Sequence, residues 1–149
     1  MKINGKTYKA KTNSKGKATF SLKINKGGKF AATIKFAGDK TYNAASKTVK
    51  LTIKKDTVKL IAKAKTFKSS AKTKKYSVTL KTSKNKAMKN TKVTLKVNKK
   101  TYTSTTNSKG QATFKITKLT KKGKFAAVVK FAGNKYYNAK TVKPKITVK

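Results

Sequence analysis

Cysteine, histidine, glutamate and arginine are absent from the 149 residues, and the only acids are Asp39 and Asp56. Without cysteine there is no disulfide framework, thiolate metal site or cysteine nucleophile. Without histidine or a carboxylate cluster, the donor sets of zinc and non-haem iron centres are missing. General acid–base chemistry uses mostly His, Glu or Asp placed at the reacting atom. Two isolated aspartates build neither a triad nor a carboxylate pair. These absences point to a non-enzymatic chain with no catalytic residues, no cofactor and no metal site. No stretch approaches the ~20 apolar residues of a membrane span. The opening Met1-Lys2-Ile3-Asn4-Gly5 has no apolar core and does not read as a secretory signal. If the protein is exported, the chain is expected to be part of a longer one.

What is present is lysine. It supplies all 42 positive side chains and a formal net charge of +40, while hydrophobic residues make up only 36%. Such a balance ordinarily signals disorder. Here the apolar residues follow a strict period, which argues for folding.

The main organising fact is an internal repeat. Residues 2–24 align with 96–118, and 26–53 align with 121–148 after a one-residue insertion, with about half the positions identical. A period of about 95 residues is too long for a solenoid unit and suits one sandwich domain per copy. The best-matched stretches are Thr12-Asn13-Ser14-Lys15-Gly16 with Thr106-Asn107-Ser108-Lys109-Gly110, and Gly28-Lys29-Phe30-Ala31-Ala32 with Gly123-Lys124-Phe125-Ala126-Ala127. Residues 57–94 have no partner in the first copy, so the second carries one or two strands that the first lacks. The division expected is a partial, N-terminally truncated repeat over 1–55 and a complete one over 56–149.

Period-2 alternation places the strands. Tyr76, Val78 and Leu80 share one face, as do Val93, Leu95 and Val97, then Ala112, Phe114 and Ile116. Phe125, Ala127, Val129 and Phe131 form another, and Ile146 with Val148 closes the repeat. Residues 57–66 read as a weaker first strand through Val58 and Leu60. Each run is expected to be half-buried, with Lys or Thr outward. Asn4-Gly5 is a strong hairpin signal because both residues tolerate positive φ. The matched Asn98-Lys99 is a weaker one. Pro144, the only proline, suggests an edge strand or a bulge. The fold class predicted is all-β, a set of antiparallel β-sandwich repeats, one partial and one complete.

The segments Tyr76-Ser77-Val78-Thr79-Leu80, Lys92-Val93-Thr94-Leu95-Lys96-Val97 and Thr106 through Phe114 carry a resemblance to a known family. It continues through Gly123-Lys124-Phe125, Phe131 through Tyr137 and Ile146-Thr147-Val148. In this order they resemble the Ig-like repeats of archaeal adhesin-like surface proteins, especially those of gut methanogens. They are also similar to bacterial Ig-like adhesin and invasin repeats. The resemblance implies an Ig-like sandwich at the cell surface or outside the cell, no catalytic residues, and no particular ligand.

The lysines suggest generic affinity for anionic cell-wall or host-surface polymers and glycans. Part of the lysine excess also fits an AT-rich coding sequence. Nucleic-acid binding, if present, is expected to be non-specific, because Arg and interleaved aromatics are missing. The candidate contact residues are Lys40, Lys135 and Tyr136. Tyr42 and Tyr137 occupy matched positions and read as structural plugs at the core edge. A further expectation is self-association, as a fibre subunit, through the incomplete first repeat.

Overall fold

Residues that alternate Lys or Thr with Val, Leu, Phe or Tyr bury one face and solvate the other only as strands. The computed structural model describes all residues, Met1–Lys149, and contains strands and turns but no helix. The strands are β1 (Lys2–Ile3), β2 (Lys6–Thr7), β3 (Gly28–Phe36), β4 (Ala45–Ile53), β5 (Val58–Ile61), β6 (Lys65–Phe67) and β7 (Lys74–Thr82). They continue with β8 (Lys92–Val97), β9 (Lys100–Thr105), β10 (Gln111–Ile116), β11 (Gly123–Phe131), β12 (Lys140–Val142) and β13 (Lys145–Val148). The chain divides into two compact units, Met1–Lys55 and Asp56–Lys149.

The second unit is a two-sheet sandwich. One sheet runs β10-β7-β5; the other runs β6-β13-β11-β8-β9, with β12 also on β11. This is an immunoglobulin-type order, in which the first strand is shared between the two sheets. Its first half, β5, pairs antiparallel with β7, and its second half, β6, pairs parallel with β13. The region expected to hold one weak strand therefore holds two short ones in opposite sheets. The core between the sheets contains Tyr76, Val78, Leu80, Val93, Leu95, Val97, Ala112, Phe114 and Ile116. Ala127, Val129, Phe131, Ile146 and Val148 complete it, all at the alternating positions read from the sequence.

Lys74 departs from the expected pattern of outward lysines. It lies in phase with Tyr76 and Val78 and is 2% exposed. Its Nζ donates to the carbonyl of Ala71 at 2.8 Å and more weakly to that of Ser69 at 3.4 Å. The segment before β7 folds over the strand's start, so an inward lysine there meets backbone carbonyls rather than apolar core. Pro144 is buried and separates β12 from β13, so the last strand is interrupted; its carbonyl still accepts from Ala127 N at 3.0 Å. The matched Val49 sits inside an unbroken β4. A proline has no N–H for the ladder, which accounts for the break. Asn98 and Lys99 adopt φ of 47° and 61°, close to the 49° and 72° of Asn4 and Gly5. The weaker hairpin signal thus gives the same turn, because the β8–β9 ladder on either side holds Lys99 in it.

The first unit has a single sheet, β2-β1-β3-β4. β3 and β4 pair over nine residues, from Gly28↔Ile53 to Phe36↔Ala45. Ile3 and Ala32 are buried. Residues 17–22, the match of β10, form no strand; Ala18 makes one isolated bridge with Thr12.

Candidate functional site

The turn joining β11 to β12 is built by one side-chain oxygen. Asn134 Oδ1 accepts from the backbone N–H of Tyr136 at 2.8 Å and of Tyr137 at 2.9 Å. The turn between β3 and β4 repeats this with Asp39 Oδ1, which accepts from Thr41 N at 2.9 Å and Tyr42 N at 2.8 Å. Asp and Asn share only an acceptor oxygen here, so the turn requires the acceptor and not the charge. Gly133 begins the turn at φ 81°, where a Cβ would lie 2.7 Å from Ala139 N. Two reasons therefore fix glycine at that position.

The turn pushes Lys135 and Tyr136 outward. The Lys135 Nζ lies 5.1 Å from the centroid of the Tyr136 ring, a cation–π contact, and Tyr136 is 39% exposed. Lys40 is exposed in the equivalent turn of the first unit, followed by Thr41 rather than an aromatic residue. The candidate residues thus lie on two equivalent tips, with Lys135 and Tyr136 together on one. Tyr137 is half-buried against the core, as a plug would be. Tyr42 is 68% exposed, contrary to the same expectation for it. The core face that Tyr137 covers has no counterpart in the single sheet of the first unit.

Asp56 locks the Tyr136 tip from the side. Its backbone N–H donates to Tyr136 O at 2.9 Å, and its carbonyl accepts from Asn138 N at 2.8 Å. Its carboxylate accepts from Thr57 N at 2.7 Å and from the Ser83 hydroxyl at 2.9 Å. Both carboxylates in the chain therefore accept backbone N–H groups.

Beside this tip is a shallow cleft of about 310 Å³, bordered by Lys92, Thr94, Lys130 and Asn134. The register Thr94↔Lys130 sets these side chains on the outer face of neighbouring strands β8 and β11. The arrangement offers ammonium groups and hydroxyls around an open hollow. It suits an anionic or hydroxyl-rich group, held without the planar two-point grip that guanidinium gives. The sequence pattern shows that Lys92, Thr94 and Lys130 point outward. It does not show that they converge, which depends on a cross-strand register.

The Tyr76 hydroxyl donates to the Lys63 carbonyl at 2.7 Å, and burial pushes its pKa from 10.0 up to about 12.

No protein-family profile matches the chain, and no curated protein sequence matches it. Among solved structures it is similar to a Ca2+-stabilized adhesin that helps an Antarctic bacterium reach out and bind ice, at 18% identity and a TM-score of 0.38. That match covers 99% of this chain and 39% of the other. It is also similar to a 1.5-MDa bacterial ice-binding adhesin studied for host cell surface retention, at 18% identity and a TM-score of 0.38, covering 81% of this chain and 42% of the other. A bacterial immunoglobulin-like domain from the M. primoryensis ice-binding adhesin matches at 20% identity and a TM-score of 0.38, over 64% of this chain and 98% of that domain. The chain thus spans about two fifths of the first two proteins, and the likeness in all three is loose.

Proposed function

We propose that the chain is a non-enzymatic repeat module of a cell-surface adhesin or stalk, which engages anionic polymers or glycans outside the cell. The observation that carries this reading is the outward array of lysines on a closed sandwich, which includes the Lys135–Tyr136 tip and the Lys92–Lys130 cleft. The equivalent tip with Lys40 supports it, as does the resemblance of the segments around Val78, Leu95 and Phe114 to archaeal adhesin-like repeats. Lysine gives a hydrated point charge, so binding is expected to follow charge density rather than chemical identity.

Titration with heparin, an acidic wall polymer and duplex DNA across a salt series tests the reading. For DNA, log affinity is expected to fall against log salt by about 0.9 for each phosphate neutralised. Lys135→Ala with Tyr136→Ala is expected to weaken binding of the acidic polymer several-fold and leave the fold intact. A preference of about 10³ or more for one DNA sequence, surviving at high salt, would replace this reading with a dedicated nucleic-acid function.

A further inference from the structure

With 42 lysines in the chain, strand register decides which of them meet. Almost everywhere a paired lysine faces Thr, Ser or an apolar residue, as in Lys130↔Thr94, Lys124↔Thr147 and Lys29↔Thr52. Two registers depart from this, Lys59↔Lys81 and Lys75↔Lys115. Residues directly opposite have Cβ atoms about 4.5–5.5 Å apart, and like charges so placed are destabilising. Both departures involve β7, and both lie on the outer face of the β10-β7-β5 sheet, out of phase with the buried Tyr76, Val78 and Leu80. Lys59, Lys75 and Lys115 are exposed, and Lys81 is half-buried.

The rows between the two pairs carry no charge. Along β7 from Lys81, the next outward row is Ile61, Thr79 and Gln111. Ser77 and Thr113 follow, with their hydroxyls 2.8 Å apart. Ile61 is 44% exposed. Lys75 and Lys115 close the face, and the six-residue step from Lys81 to Lys75 spans about 20 Å at the rise of an extended strand. Lys59 Nζ donates to Asn85 Oδ1 at 2.8 Å, which fixes its ammonium beside the turn after β7. Lys65 Nζ donates to the Lys75 carbonyl at 3.2 Å and brings a third ammonium to the other end.

We propose that this face is a binding track for an extended acidic polysaccharide, which lies along β7 and sets an acidic group between the ammonium groups at each end. The proposal rests on the reading of the chain as a binder of anionic polymers, and it names a surface other than the Lys135–Tyr136 tip and its cleft. A bound anion turns each repulsive pair into two favourable contacts, so the repulsion in the free protein is released only on binding. The uncharged middle selects the class of ligand. Its hydroxyls and amide match sugar hydroxyls, and Ile61 suits the C–H face of a sugar ring. A polymer charged at every unit, such as duplex DNA, would lay phosphates over a strip that has no ammonium.

The test measures affinity for heparin fragments of increasing length, and thermal melting, on the full 149-residue chain. Affinity is expected to step up once a fragment spans both pairs, as two linked contacts do. Lys115→Thr is expected to raise the melting temperature, since it restores a Lys–Thr register, and to weaken binding roughly fivefold. Lys59→Gln is expected to remove the length step. Lys124→Gln with Lys145→Gln takes two charges from the other sheet and is expected to change affinity by less than about twofold, because salt screens distant charge. Unchanged binding or lower melting in Lys115→Thr, an equal loss in the Lys124–Lys145 control, affinity that grows evenly with length, or tighter binding of duplex DNA on the same face would each overturn the proposal. If Lys135→Ala with Tyr136→Ala weakens heparin binding and Lys115→Thr does not, the tip reading stands and this one falls. The reverse pattern keeps this face and removes the tip. If heparin does not bind at all, both fall.

Discussion

Gly16 and Gly110 are the same residue in matched turns, yet their replacement is expected to differ. Both have positive φ, 68° and 73°. Alanine at Gly16 is expected to cost about 1–2 kcal/mol, the penalty of the left-handed region. At Gly110 the methyl also strikes the Leu80 carbonyl, and overpacking should bring the loss to roughly 3 kcal/mol. Local opening energies from amide exchange near each turn check the contrast. Tyr76 gives a pH signature. Its folded pKa is raised above the unfolded value, so its contribution is intact below about pH 10 and is lost on the way to about 12. In that window the unfolded chain has released the proton and the folded one has not, so stability falls by about 1.4 kcal/mol per pH unit. Denaturation of the native chain and of Tyr76→Phe at pH 9 to 12 checks it: only the native chain shows the extra fall. At this scale the sequence was a good guide to Tyr76, whose phase matches Val78 and Leu80. It misplaced Lys74, because alternation assigns a side chain to a face but is blind to the carbonyls waiting at the strand's end.

At the scale of elements, β10 and residues 17–22 show how far a pattern reaches. Ala18, Phe20 and Leu22 alternate as cleanly as Ala112, Phe114 and Ile116. Only the latter form a strand, because a strand needs a neighbour for its backbone groups and only the second unit supplies one. Exchange is therefore expected to be fast at 17–22 and slow at 111–116. Equal protection would show that the first segment finds a partner already. Pro144 makes the complementary case. The matched Val49 lies in a continuous strand, so Pro144→Val is expected to join β12 to β13 and change stability by less than about 1 kcal/mol, since two apolar residues of similar size exchange. Chemical denaturation with exchange at 142–145 checks it. Periodicity was enough to find the elements and the core, since both depend on local alternation. The candidate site was legible only in part. Lys135, Tyr136 and Lys40 sit on turns marked by Asx residues and glycine, whereas the Lys92–Lys130 cleft arises from strand register.

For the whole molecule, +40 on 149 residues sets the terms of stability. Self-repulsion disfavours compaction. It is screened beyond about 8 Å at physiological ionic strength. Thermal melting is therefore expected to shift upward with added salt, while affinity for acidic polymers shifts downward, and a melt insensitive to salt would place the charge too far apart to matter. The two units also differ in how their ends are tied. In the second, the first strand enters beside Tyr137 through the parallel bridge from Asp56, and β6 then runs parallel to β13 over three residue pairs, ending at Lys149. Tension applied to Asp56 and Lys149 acts along those paired strands, loading their hydrogen bonds together in shear. In the first unit Met1 leads into β1, which holds β3 by two residue pairs only. A pull there peels the edge bond by bond. Under such tension the second unit is the clamp and the first is the part that yields.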